Sequence, residues 1–162
     1  MPTIGTIIHA THRPEDLIPA FIDALSECVE EFSLSTPNGE ELRRSEIVGK
    51  IESELGAIER RTTESGYFDS DEAQYDLEWL FEELAGFAPA YCYFGAHEGD
   101  GSDFGFWISH EEIEDSVRDG FLARSSEEPN SGHLEWLEVN ERGNMTLRVW
   151  NGSQWTEVWS IV

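Results

Sequence analysis

The sequence predicts an α+β fold in which N-terminal helices pack on one face of a C-terminal antiparallel β-meander. Apolar residues follow helical spacing over about residues 1–86, and strand-like runs fill about residues 90–162. Two turns rich in Asn join the last three of these runs. Helices followed by a meander indicate α+β rather than alternating βαβ units. The length of 162 residues fits one domain, so we expect a single domain over residues 1–162.

The N-terminal third is predicted as one strand and two helices. Residues 3–9 are β-branched and read as a short strand. Pro19 suits the first position of a helix, where its missing N–H is not needed, and apolar residues recur behind it at Phe21, Leu25, Cys28, Val29 and Phe32. Residues 33–39 read as a linker, and a second helix is predicted over about residues 40–61.

A third helix is predicted from Asp69, which reads as the N-cap of a capping box with Glu72 reaching back. It continues to about Ala85 and stops at Gly86. Its predicted inward face is Ala73, Leu77, Leu80, Phe81 and Leu84. The outward face is almost wholly acidic.

The C-terminal half reads as strands with one short helix. We expect strands over residues 90–94 and 104–108, separated by a loop over residues 95–103. Ser109 and Glu112 form a second capping box, which opens a helix ending at Gly120. After a flexible loop over residues 125–132, the meander strands are predicted at 133–139, 145–150 and 155–162.

The charge restricts the partners of this chain. It has 34 acidic and 10 basic residues and a formal net charge of -24 at pH 7. Proteins that bind nucleic acid present Lys and Arg to phosphate, so we expect no direct binding to DNA or RNA. Nine Phe and six Trp argue against disorder. We find no secretory signal and no apolar run long enough for a membrane span, and we expect a cytoplasmic protein without membrane contact.

One loop concentrates groups that bind metals. His97, Glu98, Asp100 and Asp103 fall within seven residues, interleaved with glycines. Oxygen ligands at such spacing suit Ca²⁺ or Mg²⁺. The alternative is a hairpin loop that is soluble because it is charged. A metal-dependent module or enzyme built on this loop is the second hypothesis for the chain.

Catalytic motifs are missing from the sequence. There is no GxSxG elbow and no glycine-rich phosphate loop, so we expect no enzymatic activity and no cofactor. Cys28 falls on an apolar helical stripe and reads as a buried free thiol, and Cys92 lies in a predicted strand. The Trp residues near the C-terminus suit a sheet core, with stacking against carbohydrate or bases as the alternative.

The acidic face of the third helix is the predicted binding surface for a basic protein. Carboxylates three and four residues apart on a helix lie about 5–6 Å from each other, a spacing comparable to that of DNA phosphates. Such a surface suits a groove built for nucleic acid. Its predicted residues are Asp69, Asp71, Glu72, Asp76, Glu78, Glu82 and Glu83. A solvated helix that only confers solubility is one alternative. Adaptation to high salt is another, disfavoured because Glu outnumbers Asp.

Four runs of the sequence carry a resemblance. RPEDLIPAF at residues 13–21, YFGAHEGDGSDFGFW at residues 93–107, VNERGNMTL at residues 139–147 and the C-terminal EVWSIV resemble runs in small acidic proteins encoded by bacteriophages and prophages. Residues 33–70 are not part of the resemblance. The resemblance implies an accessory protein of the host cytoplasm and supplies no site residues. By analogy it suggests an inhibitor of restriction or CRISPR defence. A structural or regulatory phage protein with no inhibitory role is the alternative.

Overall fold

The computed structural model describes residues 2–34, 41–129 and 132–162, with only the backbone for residues 41–44. The α+β class is confirmed: the described residues form helices and two sheets. The helices are α1 (Pro14–Leu34), α2 (Glu41–Thr62), α3 (Asp71–Gly86) and α4 (His110–Arg118), and a single 3-10 turn spans Tyr67–Asp69. The strands are β1 (Gly5–Ile8), β2 (Cys92–His97), β3 (Asp100–Ile108), β4 (Leu122–Ser125), β5 (Glu135–Val139), β6 (Met145–Trp150) and β7 (Trp155–Ile161).

The chain divides into two compact units. Unit 1 comprises Met1–Ala88 and Phe94–Trp107, and unit 2 comprises Pro89–Tyr93 and Ile108–Val162. Residues 94–107, which the sequence places in the β-rich part, therefore belong to the helical unit. The single domain over residues 1–162 stays a prediction.

Unit 1 has its own core between helices and a sheet of strand order β1-β3-β2. The ring of Phe21 from α1 lies edge-on to Phe94 and Phe104, with centroid distances of 5.1 and 5.9 Å. Phe81 from α3 contacts the same Phe94 ring at 4.9 Å. Edge-to-face pairs at these distances stabilise beyond the apolar area they bury. The helices thus pack on this sheet, which the sequence did not predict as a unit.

Helix α1 begins five residues earlier than predicted. Pro14 occupies the first helical position, and the amides of Asp16 and Leu17 donate to the carbonyl of Arg13. Pro19 lies inside the helix. The early start is favoured because Leu17 and Ile18 are buried and extend the apolar stripe. The predicted linker begins within α1, and its residues 35–39 lie outside the described residues.

The predicted loop over residues 95–103 is mostly strand. β2 continues to His97 and β3 begins at Asp100, so only Glu98 and Gly99 form the turn. Gly and Asp are depleted from strands in general. Here β3 lies between β2 and β1, and its residues Phe104–Phe106 pair with β1. Residues 100–103 continue the same strand, whose other neighbour is β2.

Unit 2 contains α4 and a four-stranded sheet of order β4-β5-β6-β7. Strands β5, β6 and β7 form the expected antiparallel meander, with Leu137 paired to Leu147 and Leu147 to Trp159. β4 was not predicted. It pairs in parallel with β5, so the sheet is mixed. The predicted arrangement is therefore confirmed only in part.

In unit 2, the predicted cap of α4 and the two predicted Asn-based turns are confirmed. Ser109 Oγ accepts a hydrogen bond from the amide of Glu112 at 3.3 Å, as a cap of α4 should. The Oδ1 atoms of Asn140 and Asn151 accept backbone N–H groups within the two meander turns. Residues 130–131 of the predicted loop 125–132 lie outside the described residues. Within the described ranges, no helix has the length and apolarity needed to cross a bilayer.

Candidate functional site

Helix α3 carries most of the predicted binding residues, and its start is fixed by Ser70. Ser70 Oγ accepts a hydrogen bond from the amide of Ala73 at 3.3 Å and donates to the carbonyl of Tyr67 at 2.6 Å. The N-cap is therefore Ser70, and the predicted cap at Asp69 is wrong by one residue. Asp71 falls in the first turn, where a negative charge is stabilised by the helix dipole.

Asp76 does not belong to the outward surface, contrary to the prediction. Its side chain is 9% exposed and accepts hydrogen bonds from Arg61 Nε at 2.8 Å, Arg61 Nη2 at 2.7 Å and the Tyr67 hydroxyl at 2.6 Å. Arg61 also pairs with Glu54 at 2.9 Å. The hydrogen bond to Asp76 raises the pKa of Arg61. The pKa of Tyr67 is raised mainly by burial and next by its own hydrogen bond to Asp76.

The sequence contained a signal for this burial. Asp76 lies three residues after Ala73 and four before Leu80, and both of these are fully buried. Residues at these spacings share one helix face. A carboxylate on the apolar face needs a partner, and Arg61 at the end of α2 is that partner. The residue is therefore a structural link between α2, the 3-10 turn and α3.

The other predicted residues lie at the surface. Asp69, Asp71, Glu72, Glu78 and Glu82 are exposed, and Glu83 is half-buried. We call these six residues the α3 acidic surface. Asp71, Glu78 and Glu82 lie seven and four residues apart, and Tyr75, which is 70% exposed, falls between them on the same stripe. This stripe is opposite the buried face.

Among the side chains that the structure describes, the negative charge of this surface has no basic partner. Helix α3 has six acidic residues and neither Lys nor Arg. Among the described residues, no Lys or Arg lies within ion-pair distance of the α3 acidic surface. The basic side chains that form ion pairs contact other carboxylates, as Lys50 does with Glu46 and Arg124 with Glu114. Helix α1, which packs against α3, likewise contains six acidic residues and no basic one.

Two of the predicted metal-binding residues, His97 and Asp100, form hydrogen bonds with residues two positions away in the chain. The His97 ring lies edge-on to Trp107 with centroids 4.6 Å apart, and its Nδ1 accepts the amide of Gly99 at 3.1 Å. Asp100 accepts hydrogen bonds from the amide and the hydroxyl of Ser102. The hydrogen bond from the Ser102 amide is the largest of the effects that lower the pKa of Asp100.

Asp103 accepts a hydrogen bond from the hydroxyl of Thr6 at 3.3 Å, while Glu98 lies in the exposed turn. Within residues 2–34, 41–129 and 132–162, no three His, Cys, Asp or Glu side chains are arranged to hold a metal ion. The structure therefore does not bring His97, Glu98, Asp100 and Asp103 together as a ligand set.

Both thiols are buried, as predicted for Cys28. Burial raises the pKa of Cys28 to about 11 and that of Cys92 to about 12. Thiols are nucleophilic as thiolates, so neither side chain is activated near neutral pH.

Three of the four Trp residues of unit 2 pack against one another. The rings of Trp136 and Trp150 both lie edge-on to Trp155, with centroids 5.7 and 5.5 Å away. Arg148 stacks over Trp136 at 5.9 Å. These contacts lie within unit 2, and stacking against carbohydrate or bases stays an alternative.

One cluster of polar contacts in unit 2, around Tyr91, was not predicted from the sequence. The Tyr91 hydroxyl contacts Ser116 Oγ at 2.9 Å and donates a short hydrogen bond to Glu135. Phe121 and Leu134, which are 71% and 66% exposed, line a depression beside it. Tyr91 has a φ of 61°, an uncommon conformation for a residue other than glycine, and no sequence pattern predicted it.

Comparisons of the chain with protein-family models, with curated proteins and with solved structures find no match.

Proposed function

We propose that this chain is a non-enzymatic accessory protein that binds a cationic, nucleic-acid-handling protein through the α3 acidic surface. In the context that its resemblance suggests, the partner is a host protein and the binding blocks its nucleic-acid site. The observation that carries the proposal is the charge of the α3 acidic surface, which no Lys or Arg side chain of the described residues contacts. Five exposed carboxylates and one half-buried carboxylate lie on or beside a helix that contains no basic residue.

The net charge of unit 1 as a whole supports the same proposal. Unit 1 holds 23 acidic and six basic residues, an excess of 17 negative charges. Such an excess steers cationic partners and accelerates their association at low salt. The exposed Tyr75 adds an aromatic group to the stripe, and Tyr is a residue type enriched at binding interfaces.

Buried Asp76 changes how the proposal is tested. Reversing the charge of Asp76 would break the contact with Arg61 and unfold the site. Asp76 is therefore left unchanged in the variant that tests binding. The suitable variant is Asp71→Lys with Glu78→Lys and Glu82→Lys, because all three residues are exposed. A matched control is Glu111→Lys with Glu127→Lys and Glu141→Lys, three exposed residues of unit 2 that give the same change in net charge.

The experiment uses the immobilised full chain and a bacterial lysate at about 0.05 M salt, where the Debye length exceeds about 10 Å. Proteins eluted at high salt are identified, purified and tested for competition with duplex DNA. We expect the wild type and the unit 2 control to retain the same partner and the α3 variant to lose it. Retention of that partner by the α3 variant, with unchanged affinity, would contradict the proposal.

A further inference from the structure

A depression of about 510 Å³ lies within unit 2, beside the hydroxyl of Tyr91. Ser116 from α4 and Glu135 from β5 contribute polar groups to its lining. Phe121 and Leu134, which are both largely exposed, contribute apolar groups. Pockets that bind small molecules have volumes of about 300–1,000 Å³ and combine apolar walls with a few polar groups. The depression therefore has the size and the lining of a small-molecule site.

The hydrogen bonds of this cluster determine which ligand chemistry fits it. The Tyr91 hydroxyl has a single proton, which it donates to the Glu135 carboxylate. The contact of 2.9 Å between Tyr91 and Ser116 then requires Ser116 as the donor. Both hydroxyl protons are thereby used, while a carboxylate has about four lone-pair sites, of which Tyr91 occupies one. The side chains of the cluster therefore offer acceptors, and no hydroxyl proton, to a molecule in the depression.

The same hydrogen bonds favour binding over covalent catalysis. Burial first, and then the hydrogen bond to Glu135, raises the pKa of Tyr91, so the phenol keeps its proton near neutral pH. A serine becomes a nucleophile when an adjacent base accepts its proton, and a protonated phenol is not such a base. The left-handed backbone of Tyr91, with a φ of 61°, is held by the Ser109 amide, which donates to the Tyr91 carbonyl at 2.9 Å. Residues in sparsely populated backbone conformations are concentrated at ligand sites.

We propose that this depression binds a small primary amine, in its ammonium form, that carries an apolar group. The ammonium donates hydrogen bonds to Glu135 and Ser116, and the apolar group packs against Phe121 and Leu134. An ammonium has N–H donors, a positive charge and no acceptor, so it matches a carboxylate and a hydroxyl oxygen that can only accept. The inference is independent of the α3 acidic surface, because every lining residue of the depression belongs to unit 2.

The test titrates the ¹⁵N-labelled full chain with 2-phenylethylamine and follows by NMR the amide resonance of Gly120, which lines the depression. Each comparison probe removes one feature of this amine. 2-Phenylethanol lacks the charge, the N,N,N-trimethyl derivative keeps the charge without N–H donors, and ethylamine lacks the aromatic group. We expect each of them to bind about fivefold more weakly or worse, because each loses either the charged hydrogen bonds or the apolar contact.

Glu135→Gln removes the charge of the site and keeps an acceptor for the Tyr91 hydroxyl. Its matched control is Glu141→Gln, an exposed residue in the turn between β5 and β6. We expect Glu135→Gln to weaken binding of 2-phenylethylamine by about tenfold, and Glu141→Gln by less than about twofold. Phe121→Ala should weaken binding of 2-phenylethylamine and leave that of ethylamine unchanged. Circular dichroism checks that each variant is folded.

The possible outcomes support or overturn the inference. A saturable shift of the Gly120 resonance that Glu135→Gln removes and Glu141→Gln retains supports it. The absence of a saturable shift up to about 10 mM amine overturns it, as does an equal loss in the two Glu variants, which would mean that binding follows net charge alone. Equal affinity for the amine and its trimethyl derivative overturns the donation to Glu135 and Ser116. Should Glu135→Gln fail to fold, the probe series on the wild-type chain decides the question.

Discussion

Replacing Asp76 tests the view that this carboxylate holds unit 1 together. Asp76→Ala removes three hydrogen bonds, two from Arg61 and one from Tyr67, all between 2.6 and 2.8 Å. It leaves the Arg61 guanidinium, which is 22% exposed, with Glu54 as its remaining partner. The mutation therefore removes one of two carboxylate partners from a largely buried charge and leaves a buried hydroxyl without its acceptor.

The expected magnitude follows from these contacts. Removing one partner of a buried ion pair costs about 3–5 kcal/mol. The lower end applies here, because Arg61 keeps Glu54 and is partly solvated. We expect Asp76→Ala to lower the free energy of unfolding by about 3 kcal/mol. With a urea m-value of about 2 kcal/mol/M, the midpoint would fall by about 1.5 M.

The assay is urea denaturation followed by circular dichroism at the helix band, which reports mainly on α1, α2 and α3 of unit 1. The matched control is Asp71→Ala, an exposed carboxylate of the same helix, and we expect a change of no more than about 0.5 kcal/mol. Arg61→Ala should cost a similar amount to Asp76→Ala. The double variant should cost much less than the sum, because the two residues share one interaction.

Two results would refute the reasoning. The first is a loss for Asp76→Ala no larger than that for Asp71→Ala, which would mean that the buried contact contributes nothing net. The second is additivity of Asp76→Ala and Arg61→Ala, which would mean that the two side chains do not act together.

Two further predictions concern unit 1. Gly105→Ala should destabilise the protein by about 1–3 kcal/mol in the same assay, because an added Cβ would lie 2.0 Å from the Gly5 carbonyl oxygen. The control is Gly101→Ala, which has open space around the added Cβ. Equal stability of the two variants would contradict the close approach of β1 and β3. Burial raises the pKa of Tyr67 above its usual value of about 10, so the folded state keeps a proton that the unfolded state releases, and stability should fall as pH rises above about 10. Tyr67→Phe should reduce this loss between about pH 8 and about pH 11, and an unchanged pH dependence would count against the burial of this hydroxyl.

Part of the candidate site could be predicted from residue spacing. The exposed carboxylates at Asp71, Glu78 and Glu82 follow from the helical period, and the structure places them at the surface. The same period, applied to Asp76 between Ala73 and Leu80, indicates burial, but only Arg61 makes burial possible. That partner lies fifteen residues away on another helix, and no local pattern identifies it.

The sequence by itself determined the local elements of this protein. Strand β6 over Met145–Trp150, the Ser109 cap and the Asn-based turns all depend on a few neighbouring residues, so their signals are present in short windows. Tertiary structure alone decided that β1 pairs with β3, that β4 lies parallel to β5, and that residues 100–103 extend a strand. The first two features depend on pairing with a segment that is not adjacent in sequence. Residues 100–103 instead continue β3 next to β2, and pairing within the sheet outweighs the weak local preference of Gly and Asp for turns.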